Sequence, residues 1–125
     1  MRQLLYVGLG GASGSILRYL VGRWAIRALP DFGLPVGTLL VNVVGCLLLG
    51  LLAGLAESRN LIREEARLLL MVGLLGGFTT FSTFGYETLD LARGSDKWLS
   101  LVYVLASVCV GVGTAWLGNL AGRSL

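Results

Sequence analysis

Phe81 and Phe84 stand three residues apart, with Ser82 and Thr83 between them. An aromatic ring has a negative face and a positive edge. Two rings presented edge-on, with hydroxyl donors beside them, can solvate a small anion without any fixed charge. Just upstream lie Gly76-Gly77 and Thr79-Thr80. Glycine adds backbone entropy and threonine crowds a helix at its β-branch, so both weaken it. An interruption there frees backbone carbonyls, which suit a hard cation, and the Thr79 and Thr80 hydroxyls can add to them. Packing offers a plainer use for the rings, because Phe78, Phe81 and Phe84 at three-residue intervals would line one face of a helix.

Further polar residues sit in apolar surroundings. Asn42 lies among Leu39, Leu40, Val41, Val43 and Val44. An amide at that depth needs partners. It either bonds between helices and holds a dimer together, or aims its N–H at an anion. Arg18 lies within its own apolar stretch. It either snorkels to an interface or lines a watery vestibule that attracts anions. Glu87 follows the aromatic run, and a carboxylate there either marks the membrane edge or couples to protons. Tyr103 and Ser107 are four apart, share a helix face and could form a short polar track with Thr114 beyond. Such hydroxyls also often bond only their own backbone.

The elements that must position these residues are membrane helices. The chain has 125 residues, 55% of them hydrophobic and 14% charged, with a mean hydropathy of +0.80. Soluble domains carry about 25% charged residues. Residues 32–56, 68–86 and 98–122 contain no Asp, Glu, Lys or Arg. About 20 apolar residues suffice for a helix to cross the hydrocarbon core. Four spans are expected, at about 4–26, 35–56, 67–90 and 97–120, forming a single all-α membrane domain. Pro30, Asp31 and Pro35 break the chain after the first span, and Gly94 and Ser95 turn it before the fourth. Glycines at Gly8, Gly10, Gly11 and Gly14, and at Gly37, Gly45, Gly50 and Gly54, would let helices approach closely in lipid. No cleavable signal peptide is expected. Cys46 and Cys109 fall inside spans and read as small apolar residues, and there is no histidine. The net charge of +3 reads as arginines near lipid headgroups, with no call for a nucleic-acid partner.

Four spans place both termini on one side. That side, with the middle loop, carries Arg2, Arg59, Arg63, Arg67 and Arg123, and the other side carries Arg23, Arg27, Arg93 and Lys97. Five against four gives almost no bias to orient the chain. Insertion in both orientations and assembly as an antiparallel pair follow naturally, unless a single topology is fixed by other features. Four short helices also enclose little interior, and most homo-oligomers are symmetric pairs.

These residues taken together resemble a known family. The carriers are Gly10-Gly11-Ala12-Ser13-Gly14 leading to Arg18-Tyr19, Gly37-Thr38 leading to Val41-Asn42 and Gly45-Cys46, and the run Gly76 to Phe84 with Glu87. They resemble the Fluc-type fluoride channels, the CrcB family. The resemblance covers three of the four spans, and Thr-Thr-Phe-Ser-Thr-Phe is its most specific part. It implies an antiparallel, dual-topology homodimer in the cell inner (plasma) membrane, with a third helix broken mid-membrane. It implies a passive channel, not an enzyme, that exports cytoplasmic fluoride and so lowers its toxicity. Phe81 and Phe84 would be the pore-lining aromatics and Asn42 the amide at the pore mouth. Ser82, Thr83, Tyr103 and Ser107 would supply further polar contacts. A structural Na+ at the dimer centre would be held by the backbone carbonyls of Gly76 and Thr79. Arg18, Glu87 and Thr38 match family positions that read as vestibule or structural. Two departures stand out: Leu47 where many members carry Phe, and Cys109 and Gly111 where a longer serine ladder would run.

Two other readings stay open on the sequence. A small proton-coupled multidrug transporter is also a four-helix dual-topology dimer, but its chemistry calls for an acid in the first span, where this chain has Arg18. In a non-transporting assembly protein, Asn42, Phe81 and Phe84 would only pack.

Overall fold

A computed structural model describes residues 1–30, 33–59, 62–95 and 97–125. Asp31, and the Arg59 side chain used in the charge count, lie outside the described residues. The described chain is all helical: α1 (Arg2–Ala28), α2 (Val36–Arg59), α3 (Glu64–Ala66), a π-helical segment (Arg67–Leu75), α4 (Gly76–Phe78), α5 (Phe81–Arg93) and α6 (Lys97–Ser124). Among the described residues, four stretches are long and apolar enough to cross a membrane, namely Arg2–Ala28, Val36–Ser58, Glu64–Arg93 and Lys97–Ser124. The expected all-α protein with four membrane-capable helices is what the chain forms.

The helices sort into two close pairs, α2 on α6 and α1 on the π segment with α4. Small residues set both seams. Gly50 and Gly54 of α2 face the backbone of Ala115 and Asn119, while Gly118 and Gly122 of α6 face Leu47, Leu51 and Leu55. On the other seam Gly73 and Gly77 lie against Gly10 and Gly11, and a Cβ on Gly77 would stand 2.6 Å from the Gly11 carbonyl oxygen. In lipid, where tails are as apolar as leucine, such backbone approach gains the packing that drives helix association. Gly33, with φ 70°, supplies the left-handed residue in the turn before α2.

Few large side chains are buried. Val41, Leu75, Phe78 and Tyr103 are inside, whereas Leu4, Leu9, Ile16, Leu20, Trp24, Leu105, Val112 and Trp116 face outward. This is the inverse of a soluble core and suits a hydrocarbon surround.

Between α4 and α5 two residues leave the helix. Thr79 has φ −81°, ψ 159° and Thr80 has φ −151°, ψ 118°. Both are β-branched, a side-chain type that favours extended backbone. Thr80 then acts as N-cap of α5, its side-chain oxygen accepting the Thr83 N–H, as threonine commonly does.

Candidate functional site

The two extended threonines disturb a strict accounting of backbone hydrogen bonds. In a continuous helix the amide of Thr80 would take the Gly76 carbonyl, and that of Thr83 would take the Thr79 carbonyl. Instead the Thr80 N–H donates to Asn42 Oδ1 at 2.8 Å, and the Thr83 N–H donates to Thr80 Oγ1 at 3.3 Å. The carbonyls of Gly76 and Thr79 therefore lose their usual donors. Asn42 completes a clasp by donating from Nδ2 to the Thr80 carbonyl at 3.1 Å. The clasp ties α2 to the interruption, 38 residues away in sequence. One amide hydrogen of Asn42 remains beyond this bond.

Two cavities flank the clasp. The first, about 340 Å³, is lined by Asn42, Gly45, Cys46, Gly76, Thr79, Thr80, Phe81, Phe84 and Ser107 among others. It is an aromatic groove with polar points. The Phe81 and Phe84 ring centroids are 5.7 Å apart and tilted by 48°. Phe81 is 83% exposed. The Ser107 hydroxyl oxygen is buried, and among the described residues it has no hydrogen-bond partner. A buried unpartnered hydroxyl is costly and points to a missing partner.

The second cavity, about 490 Å³, is a cleft between α1 and α2 lined by Arg18, Tyr19, Arg23, Thr38, Thr80, Thr83 and Glu87 among others. Arg18 is half-buried there, and no ion pair or hydrogen bond joins it to another described residue. Arg23 lies over the Tyr19 ring at 5.5 Å and donates to its hydroxyl at 2.8 Å. Glu87 faces the same cleft with both oxygens engaged. Thr38 Oγ1 donates to one at 2.8 Å, and the Tyr103 hydroxyl donates to the other at 2.7 Å.

The sequence-derived candidates thus separate. Asn42, Phe81, Phe84, Ser107, Gly76 and Thr79 come together on the groove. Arg18, Thr38, Thr83 and Glu87 come together on the cleft. Ser82 is exposed and lies 3.3 Å from Thr80 Oγ1. Tyr103 is completely buried behind the groove, its ring 5.4 Å from that of Phe84. It acts as a wedge between Phe84 and Glu87. Thr114 bonds back to the carbonyls of Val110 and Gly111 at 2.9 and 3.0 Å. The sequence offered the Thr80 hydroxyl only as an addition to the freed carbonyls; its place as N-cap of α5 was missed, although threonine is a favoured N-cap residue.

A family model described as "CrcB-like protein, Camphor Resistance (CrcB)" matches residues 5–119. A protein of Methylobacillus flagellatus named "Fluoride-specific ion channel FluC" is 44% identical over 118 residues, which is 94% of this chain and 92% of the relative. A protein of the same name from Agrobacterium fabrum is 45% identical over 126 residues, 100% of this chain and 99% of the relative. Another, from Oceanobacillus iheyensis, is 43% identical over 118 residues, 94% of this chain and 89% of the relative.

Proposed function

The chain belongs to the CrcB family, and from that premise we propose that it is a fluoride-selective passive channel of the plasma membrane. It exports fluoride from the cytoplasm and performs no chemical conversion. The observation that carries the reading is the aromatic groove, where Phe81, Phe84, Asn42 and the unpartnered Ser107 hydroxyl converge without a charged side chain. Fluoride is small and strongly hydrated. A pore must replace its water with donors that bind well enough to admit it and loosely enough to release it. Amide, hydroxyl and ring-edge donors meet both demands, whereas a ring of arginines would hold the ion. Arg18 stands outside the groove, in the cleft, where it raises the local anion concentration before the ion reaches the neutral donors.

The working unit is an antiparallel homodimer built from chains inserted in both orientations, with the interruption at Thr79 and Thr80 lying mid-membrane. Support comes from the outward-facing groove. Freed carbonyls and an amide on the outside of a single bundle would meet hydrocarbon, which cannot satisfy them. A second copy covers them and closes a pathway. Symmetry then gives two equivalent pathways. The near-even arginine count leaves both orientations accessible.

A sodium ion at the centre of the dimer fits the donors. The Gly76 and Thr79 carbonyls, whose usual amide partners are diverted to Asn42 and to Thr80 Oγ1, are hard oxygen ligands of the kind such a cation takes. When bound, the ion neutralises the carbonyl dipoles and ties the two chains together. Ser82 and Thr83 add hydroxyls at the start of α5, and Tyr103 fixes the Phe84 ring from behind.

Proton-coupled drug transport is less well supported. α1 carries no acid, and both oxygens of Glu87 already accept hydrogen bonds from Thr38 and Tyr103. The channel reading is tested by ion efflux from liposomes holding the purified protein. Rapid fluoride efflux with little chloride efflux is expected, and absence of fluoride efflux from well-folded protein would overturn it.

A further inference from the structure

Among the described residues, Thr80 is the one common to the linings of the cleft and the groove. It is only 8% exposed. Its hydroxyl donates to Thr83 Oγ1 at 3.0 Å and accepts the Thr83 N–H at 3.3 Å, with Ser82 Oγ also 3.3 Å away. A hydroxyl has a single proton. Either hydroxyl can donate in the Thr80–Ser82 pair; with the Thr80 proton given to Thr83, Ser82 takes that part. Thr83 accepts from Thr80 and keeps its own proton, and Thr83 lines the cleft. On the opposite side Asn42 gives one amide hydrogen to the Thr80 carbonyl and keeps the second, and Asn42 lines the groove.

We propose that Thr80 is a positioning residue at the threshold between cleft and groove. It directs the Thr83 hydroxyl proton to the cleft and the spare Asn42 amide hydrogen to the groove, so a crossing fluoride ion meets a donor on each side before it leaves the other. The proposal rests on the channel reading. It deepens that reading by naming the point where the ion passes from the charged cleft to the neutral groove and the residue that aligns the donors there.

The test compares fluoride and chloride efflux per folded dimer for the wild type, Thr80→Val, Thr80→Ala, Thr80→Ser, Thr83→Val and the Thr80→Val/Thr83→Val double variant. Valine keeps the shape and β-branch of threonine and removes the hydroxyl. It is expected to slow fluoride efflux about tenfold, the loss of one hydrogen bond to an anion. Serine restores the hydroxyl and should return efflux to within about twofold of wild type. The double variant should be no slower than the slower single variant, since both changes disable one donor. If Thr80→Val does not assemble, Thr80→Ala takes its place in each comparison. Wild-type efflux from a folded Thr80→Val dimer, failure of serine to restore it, or multiplying losses in the double variant would each overturn the proposal. Absence of fluoride efflux in the wild type would instead overturn the channel reading beneath it.

Discussion

Replacing Asn42 with alanine should unfasten the interruption. Two hydrogen bonds vanish, one at 2.8 Å from the Thr80 amide and one at 3.1 Å to the Thr80 carbonyl. At about 1–1.5 kcal/mol each, the loss comes to about 2–3 kcal/mol. Both orphaned groups belong to a buried residue, so water replaces Asn42 poorly. Intrinsic fluorescence of Trp24, Trp98 and Trp116 during heating of the purified protein would read this as a melting temperature lowered by roughly 5–10 °C. Fluoride efflux should fall more than stability, because the spare amide donor disappears as well. Asn42→Asp separates the two effects. It keeps an acceptor for the Thr80 N–H but sets a carboxylate oxygen against the Thr80 carbonyl and a negative charge in the anion's way. Efflux through Asn42→Asp should lie below that through Asn42→Ala even where more of the protein stays folded. Equal melting temperatures for wild type and Asn42→Ala, or faster fluoride efflux through the aspartate variant than the alanine one, would show that Asn42 neither fastens the interruption nor serves the anion.

Tyr103→Phe removes the 2.7 Å bond to Glu87 and keeps the ring against Phe84, so stability should drop by about 1–2 kcal/mol while fluoride efflux changes little. Tyr103→Leu also loses the ring and should slow efflux markedly, and the two variants are compared in one liposome assay. Gly77→Leu sets a side chain where a Cβ already lies 2.6 Å from the Gly11 carbonyl oxygen, so gel filtration in detergent should show aggregate in place of the native species. If sodium ties the proposed dimer together, replacing it with N-methylglucamine during purification should give faster subunit exchange between differently labelled preparations. Exchange that ignores sodium would count against the Gly76 and Thr79 carbonyl site.

The helices were legible because uncharged runs of membrane length leave little else for the chain to be. Asn42 stood out as an amide among aliphatics, but its partner did not. The clasp joins residues 38 apart, and nothing local to Thr80 announces it. Tyr103 and Ser107 illustrate a different limit. Their spacing puts them on one helix face, yet Tyr103 is drawn under Phe84 and Glu87 while Ser107 lies along the groove with its hydroxyl oxygen buried. A shared face fixes direction from the axis, and the neighbouring helix decides what each residue meets. Glu87, open between membrane edge and proton coupling on sequence, acquires its two donors only when α2 and α6 converge on α5. The π-helical turns of Arg67–Leu75, which pack against α1, have no marker in the leucine-rich sequence that forms them.

Passive, selective movement of fluoride is measured directly by the reversal potential of currents through the purified protein in a planar bilayer. With a tenfold fluoride gradient and equal chloride on both sides, reversal is expected near the fluoride equilibrium potential, about 59 mV in magnitude, unmoved by an added pH gradient. Reversal near zero, or a potential that follows the proton gradient, would contradict it.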